Sequence, residues 1–520
     1  MDIWSWICEL PNSDEWDESK SLPTFQLASS KPSESSIQLK AERTFGSNSD
    51  APVITFSVCY EQKTLWVSDT CPLASDNPFL PLVLQLLQEI ITRSPTAQDS
   101  TCPRSQLQKL KPEPVSWILD SHSPESFSSF FNLIFLTRLF WLCVCDAPSE
   151  VGSFYFHSLL TPNLEAFSCK DTHVLRAFFI SVGTDVELCL MRTFGYMIAK
   201  WLILREVGVG LKSLTPLPSH NLGFSYAKES HGLWILKSYA PVFATTRTRY
   251  YGQKSQFPVI ETEESVLKYA LAHQQLEAVI QLEYTVEFNE GFLQVSARVD
   301  NLRLHVAKLG FSSKDEGNEY TEERHFPSRI RVWVGPEVGA SYVSGLSLGR
   351  STDNVEKEME TQKVMKGSFG KTKVPKLKAM TTTTTRTRMR NWRWDQDVEG
   401  NAAIFDGVLC DNTTGIEVAT WKSSSSSDGG DKSMNNFRKR YTGSNRPFTK
   451  SGGLIFGGGE CGERVAWRLN KEMEGSVLKW RIGGQVWLSY WPNDVKSSYF
   501  ETRCVQWCDE VDLPLIPGNY

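Results

Sequence analysis

The chain has 520 residues, 40% hydrophobic and 22% charged, with a net charge of −5. That length exceeds one ordinary core and suits two or three packed domains, and the composition is globular rather than fibrous or disordered. The mild acidity excludes a generally basic nucleic-acid coat, though not a local basic site.

The N-terminus, MDIWSWICELPNSDEWDESK, has no basic stretch leading into an apolar one, and its acids argue against a transit peptide. The expectation is an intracellular protein, cytoplasmic or nuclear, whose twelve cysteines are mostly reduced. Residues 1–50 are rich in Ser, Pro, Glu and Asp and read as an irregular arm, although Trp4, Trp6 and Trp16 imply that part of it docks.

Residues 51–210 read as a mixed, helix-rich domain. Val53 to Tyr60 and Thr64 to Ser68 are β-branched and aromatic, and Glu61-Gln62-Lys63 turns the chain between them. Leu82, Val83, Leu86, Leu87, Ile90 and Ile91 recur at helical spacing. Phe127 to Cys145 approaches membrane-spanning length but carries Asn132 and Arg138 near its middle. A central arginine costs about 2.5–3.5 kcal/mol on insertion scales, so a buried helix is expected there, and membrane attachment is disfavoured. Thr184 to Glu206 reads as an amphipathic helix with Val186, Leu190, Phe194, Met197, Trp201 and Leu204 on its apolar face.

Past Gly208 and Gly210 the periodicity changes from helical to alternating, which marks a domain boundary and opens a β-rich domain over residues 211–520. Its clearest hairpin sets Leu282, Tyr284, Val286 and Phe288 against Gln281, Glu283, Thr285 and Glu287, turns at Asn289-Glu290-Gly291, and returns through Leu293 to Val299. One face is apolar and the other charged, so the expectation is an antiparallel sheet with one side wet. Further strands fall at Arg329 to Val334, Ala402 to Cys410, Gly415 to Trp421, Ser476 to Ile482, Gln485 to Trp491 and Tyr499 to Cys508, with Gly483-Gly484 as a tight turn. Polar insertions near 350–390 and 423–450 read as disordered. The fold class is therefore α+β: a mixed helical half, then a large antiparallel sandwich or barrel-like domain with long insertions.

Catalytic and metal motifs give little. The eight histidines form neither HxH nor HExxH, and Cys504 and Cys508 stand about 13 Å apart on a strand, too far for one tetrahedral zinc, so they read as buried thiols. The glycines from Gly452 to Gly459 lack the lysine and helix of a phosphate loop and read as a flexible turn. No cofactor or metal is implied. The densest chemical signal is Lys363 to Trp394, where ten Lys and Arg residues occur without a carboxylate. Within it Arg386, Arg388, Arg390, Trp392, Arg393 and Trp394 form the candidate binding segment, because alternate arginines on a strand share a face and tryptophans stack. Asp395, Asp397 and Glu399 follow at once, so local pairing competes with an external anion.

The blocks TRTRMRNWRWDQDVEGNAAIFDGVLCDNTTGIEVATW and LKWRIGGQVWLSYWPNDVKSSYFETRCVQWCDEVDLPLIP, with the opening MDIWSWICELP, resemble an uncharacterised plant protein family along most of the chain. The resemblance implies a plant origin and transfers no functional residue, the family having no established activity. The functional expectation is a non-enzymatic binding or scaffold protein that offers its basic-aromatic segment to an anionic ligand, nucleic acid or protein partner. The alternative is a carbohydrate- or lipid-modifying enzyme with paired carboxylates in a β-sheet cleft.

Overall fold

The structure, a computed structural model, describes residues 2–10, 22–29, 36–45, 52–61, 63–92, 110–142, 156–166, 173–213, 222–242, 274–308, 325–352, 360–366, 380–386, 392–410, 417, 454–490 and 501–517. The 423–450 insertion and Gly415 to Trp421, apart from Glu417, lie outside these residues, as do Cys143 and Cys145. The fold is α+β with antiparallel sheets throughout.

The first sheet contains β1 (Thr24–Ser29), β2 (Ser36–Phe45), β3 (Pro52–Tyr60), β4 (Lys63–Val67) and the short β5 (Cys71–Pro72). Residues 1–50, read as an irregular arm, thus supply two of its strands and the helix α1 (Ile3–Cys8). Alternation explains the strands: Ile37, Leu39 and Ala41 are buried while their neighbours are not. The expected docking of Trp4 is direct, its ring lying 4.6 Å from Phe127 and 4.8 Å from Phe131.

Helices α2 (Leu80–Thr92), α3 (Pro112–Ser121), α4 (Pro124–Trp141), α5 (Thr161–Ala166), α6 (His173–Val182) and α7 (Thr184–Ser213) form the next layer. Ser123 caps α4, its hydroxyl accepting from the Ser126 amide, and Pro124 opens it. This helix is buried nearly all round, as expected for Phe127 to Cys145; Arg138 is neutralised by Glu89 of α2, and the Ile3 amide donates to Asn132. Among the described residues, no helix is long and apolar enough to cross a membrane.

The rest is a two-sheet sandwich. One sheet runs β11 (Val343–Ser347), β17 (Val465–Asn470), β9 (Phe292–Lys308), β8 (Gln274–Phe288), β7 (His231–Val242) and β6 (Gly223–Lys228), with β16 (Leu454–Gly457) also on β9. The other runs β14 (Trp392–Glu399), β15 (Ala402–Leu409), β10 (His325–Pro336), β18 (Val477–Tyr490) and β19 (Glu501–Pro514). A separate pair joins β12 (Glu360–Lys366) to β13 (Met380–Arg386), so part of the 350–390 insertion forms strands. Apolar side chains of both large sheets meet in one core, including Trp234, Tyr284, Val332, Trp394, Trp467 and Trp480. The second face of the seven-stranded sheet supports the helices, through Leu233, Ile235 and Val279.

Two expected turns are strand instead. Leu454–Gly457, inside the glycine cluster, pairs with β9 before a 3₁₀ turn over Gly458–Cys461. Gly483-Gly484 is no hairpin: β18 runs straight through it, Gly483 facing Trp333 across one boundary and Gly484 facing Trp507 across the other. A Cβ on Gly483 would overlap the Trp333 ring, and one on Gly484 would lie 2.8 Å from Trp507. The same device recurs at Trp394 over Gly407 and Tyr284 over Gly232, each ring lying on the bare backbone of its cross-strand partner.

Candidate functional site

The predicted binding segment is split by the fold. Arg386 closes β13, opposite Glu360, and Arg388 and Arg390 lie outside the described residues. Trp392, Arg393 and Trp394 begin β14, an edge strand of the five-stranded sheet. Alternation sends them to opposite faces. Trp394 is 1% exposed and meets Phe456 edge-on at 5.1 Å, so it belongs to the core. Trp392 packs on the same Phe456 at 5.2 Å. Only Arg393 points outward, where it bonds Asp395 at 3.2 Å and Glu417 at 3.4 Å.

Arg393 is joined on that outer face by residues that drew no attention in the sequence. Arg329 and Arg331 alternate on β10 and both grip Asp406 of the neighbouring β15, Arg331 at 3.1 Å. Their guanidinium carbons lie 5.2 and 5.9 Å from the centre of the Trp487 ring on β18. Burial opposes ionisation of Asp406, yet the hydrogen bonds and charges of the two arginines outweigh it and hold the carboxyl below its usual range. Farther along, Lys479 bonds Asp512 at 2.6 Å. Cys504 and Cys508, expected to be buried, are exposed on this face. The result is an ordered arginine-tryptophan surface whose charges are matched locally.

A second concentration of charge is buried where α7 crosses the seven-stranded sheet. The face of β8 expected to be wet is covered: Gln281 is 0% exposed and Glu283 2%. α7 supplies a partner about every one and a half to two turns. Glu187 accepts from Tyr226 and, at 2.7 Å, from Lys228 on β6. Arg192 bonds Glu283 at 3.0 Å and also Asp300 on β9. Lys200 meets Glu277 on β8, and Glu206 accepts from Lys237 on β7 at 2.8 Å. Asp300 reaches this seam because the register of β8 and β9 slips there, Gln281 facing Asn301 and Leu282 facing Val299. The extra residue turns its carboxylate toward α7.

Glu283 is the hub. Its burial would raise its pKa, but Arg298, Arg192 and Arg464 reverse that and hold it near 2. Lys200 is pushed down to about 8 by burial, and His305 to about 3 by burial and by Lys200. Arg303 lies over the Tyr196 ring at 4.1 Å and donates to Asn301 at 3.2 Å. Among the described residues, no group of three or more His, Cys, Asp or Glu side chains is arranged to hold a metal ion.

No family model and no curated protein matches the chain. Solved structures that align with it include the Clostridium perfringens delta-toxin, at 7% identity over 56% of this chain and 96% of that one, TM-score 0.22. The Clostridium perfringens NetB toxin in its membrane-inserted form aligns at 12% identity over 45% and 88%, TM-score 0.22. A pore-forming protein aligns at 10% identity over 55% and 94%, TM-score 0.17. Likeness this slight carries no argument about fold or activity.

Proposed function

We propose that the chain is a non-enzymatic, intracellular binding or scaffold protein that takes a protein partner on the outer face of its five-stranded sheet. The observation that carries this reading is the Arg329–Arg331–Asp406–Trp487 cluster, with Arg393 beside it. Arginine and tryptophan held in fixed rotamers lose little entropy on contact and dominate protein–protein hot spots. A polyanion would need uncompensated positive charge, whereas Arg329, Arg331, Arg393 and Lys479 each have a carboxylate within 3.4 Å. Cys8, Cys59, Cys71, Cys410, Cys504 and Cys508 are free thiols, in keeping with a reducing compartment, cytoplasmic or nuclear.

The enzymatic alternative fares worse on the acids available. Glu283 and Asp300 are buried together, but both bind Arg192, and a carboxyl held near pH 2 donates no proton at neutral pH. The test places a photo-crosslinking residue at exposed Asp397 and, as control, at Ile180 on α6. One defined protein adduct should form at Asp397 alone, and fall at least tenfold when Arg329 and Arg331 are changed to Ala. Equal adducts at both positions refute the reading. A salt-dependent loss of heparin or RNA retention on changing Arg386, Arg388, Arg390 and Arg393 together to Ala would favour a nucleic acid or other anion instead.

A further inference from the structure

β19 ends the five-stranded sheet. Along its 14 residues it pairs with β18 on one side, from Glu501 opposite Tyr490 to Pro514 opposite Val477, and among the described residues no strand pairs with its other side. An edge this long displays a row of amide and carbonyl groups for a further strand, and proteins usually blunt such edges with charge or proline. Cys504-Val505-Gln506-Trp507-Cys508 has neither. Its side chains are set as in an interior strand, Trp507 buried in the core and Cys504, Gln506 and Cys508 exposed on the outer face. Beyond it one amide of the edge is already satisfied, the Glu510 amide donating to Asp509 Oδ1 at 2.8 Å, and the Gly223 amide donates to Asp509 Oδ2 at 2.7 Å, so the open main-chain groups are those of Cys504 to Cys508.

We propose that two copies of the chain join edge to edge through β19, antiparallel about Gln506, to form one continuous ten-stranded sheet. The occupant is a second copy because the strand complements itself. A two-fold axis perpendicular to a continuous sheet must pass through one residue facing its own counterpart, since opposed side chains share a face. Centring on Gln506 places Arg503 opposite the second copy's Asp509, a base against an acid, twice per dimer. Centring on Val505 would place Glu501 opposite Asp509, acid against acid, and centring on Trp507 opposes no charges at all. Opposite charges directly across a strand pair favour that register and like charges oppose it.

The chosen register also sets Cys504 opposite the second copy's Cys508. Directly opposed residues have Cα atoms about 4.5–5.5 Å apart, within the roughly 4.4–6.8 Å a disulfide spans. Within one chain the two stand about 13 Å apart and cannot bridge. These thiols are probes of the register; the cell need not oxidise them. The proposal is independent of the partner surface, although it would bring two Arg329–Trp487 clusters onto one face.

Sedimentation of the full-length chain is expected to show a concentration-dependent monomer–dimer equilibrium. Gln506→Lys places two ammonium groups face to face and should weaken dimerisation at least tenfold, with unchanged circular dichroism because position 506 is exposed. Oxidation by diamide should give a covalent dimer that Cys504→Ser and Cys508→Ser each abolish, since either change breaks both symmetric pairs. Mixing the two variants should restore it, through the intact Cys508 of one and the intact Cys504 of the other. A monomer at all concentrations, crosslinking that persists in Cys504→Ser, or a mixture no better than either variant alone would overturn the proposal.

Discussion

Gly483 sits buried in the interior of β18, where a glycine would ordinarily weaken a strand, because the Trp333 ring occupies the place of its side chain. Gly483→Ala should therefore cost about 1–3 kcal/mol in urea unfolding, through overpacking rather than backbone strain. Shrinking the ring as well, in Gly483→Ala with Trp333→Leu, should recover part of that loss; strictly additive costs would contradict the pairing. A local reading takes Gly-Gly between two apolar runs for a turn, since the tryptophan that explains it lies 150 residues away. Glu283 gives the complementary case. Its carboxylate neutralises Arg192, Arg298 and Arg464 together, so Glu283→Gln should remove about 3–5 kcal/mol by leaving buried Arg192 and partly buried Arg298 to share Asp300.

At the scale of elements, the period of β8 and the charges of α7 were both legible, but not that they face each other. An alternating strand with Gln281 and Glu283 on one side reads as half-solvated, and a helix with Glu187, Arg192 and Lys200 reads as exposed; pairing buries both sets. The one local clue is Asp300-Asn301, two adjacent polar residues that break the alternation of β9 and mark the bulge. The outer-face cluster was hidden for a similar reason, because Arg329, Arg331, Asp406 and Trp487 come from three strands spread over 158 residues. The seam also predicts a pH dependence. His305 is held near 3 in the fold against an ordinary 6.5, so as pH falls from 6.5 the unfolded chain binds a proton that the folded chain refuses. Stability should drop by up to about 1.4 kcal/mol per unit from that one group. Glu283, near 2 in the fold against 4.5, contributes stability that is complete above 4.5 and lost as pH falls toward 2. His305→Gln should flatten the limb between pH 6.5 and 4.5 in urea midpoints, and below 4.5 should lessen the slope without abolishing it, since Glu283 still titrates there. An unchanged upper limb would exclude His305 as its source.

Across the whole molecule, the change of periodicity near residue 210 predicts a domain boundary, yet β7 and β8 serve the cores on both of its sides. Leu233, Ile235 and Val279 close the helical core, while Trp234, Leu236 and Ile280 on the same strands line the sandwich core. Two cores that share strands cannot be separated without exposing one wall of each, and here also without stranding Glu283 and Asp300 from Arg192. Phe131→Ala in the helical core and Ile482→Ala in the sandwich core should therefore shift one common unfolding transition, by about 3–5 and 2–5 kcal/mol respectively. Independent domains would instead show two transitions, each variant moving only its own. The same coupling bears on expression of residues 1–213 alone: lacking Leu233, Ile235 and Val279 as a floor and the sheet's acids as partners for Arg192 and Lys200, the fragment should exchange its α7 amides rapidly and bind a hydrophobic dye. A fragment with native-like protection in α7 would mean that the helices carry their own core, and that the boundary seen in the sequence is a boundary of folding as well.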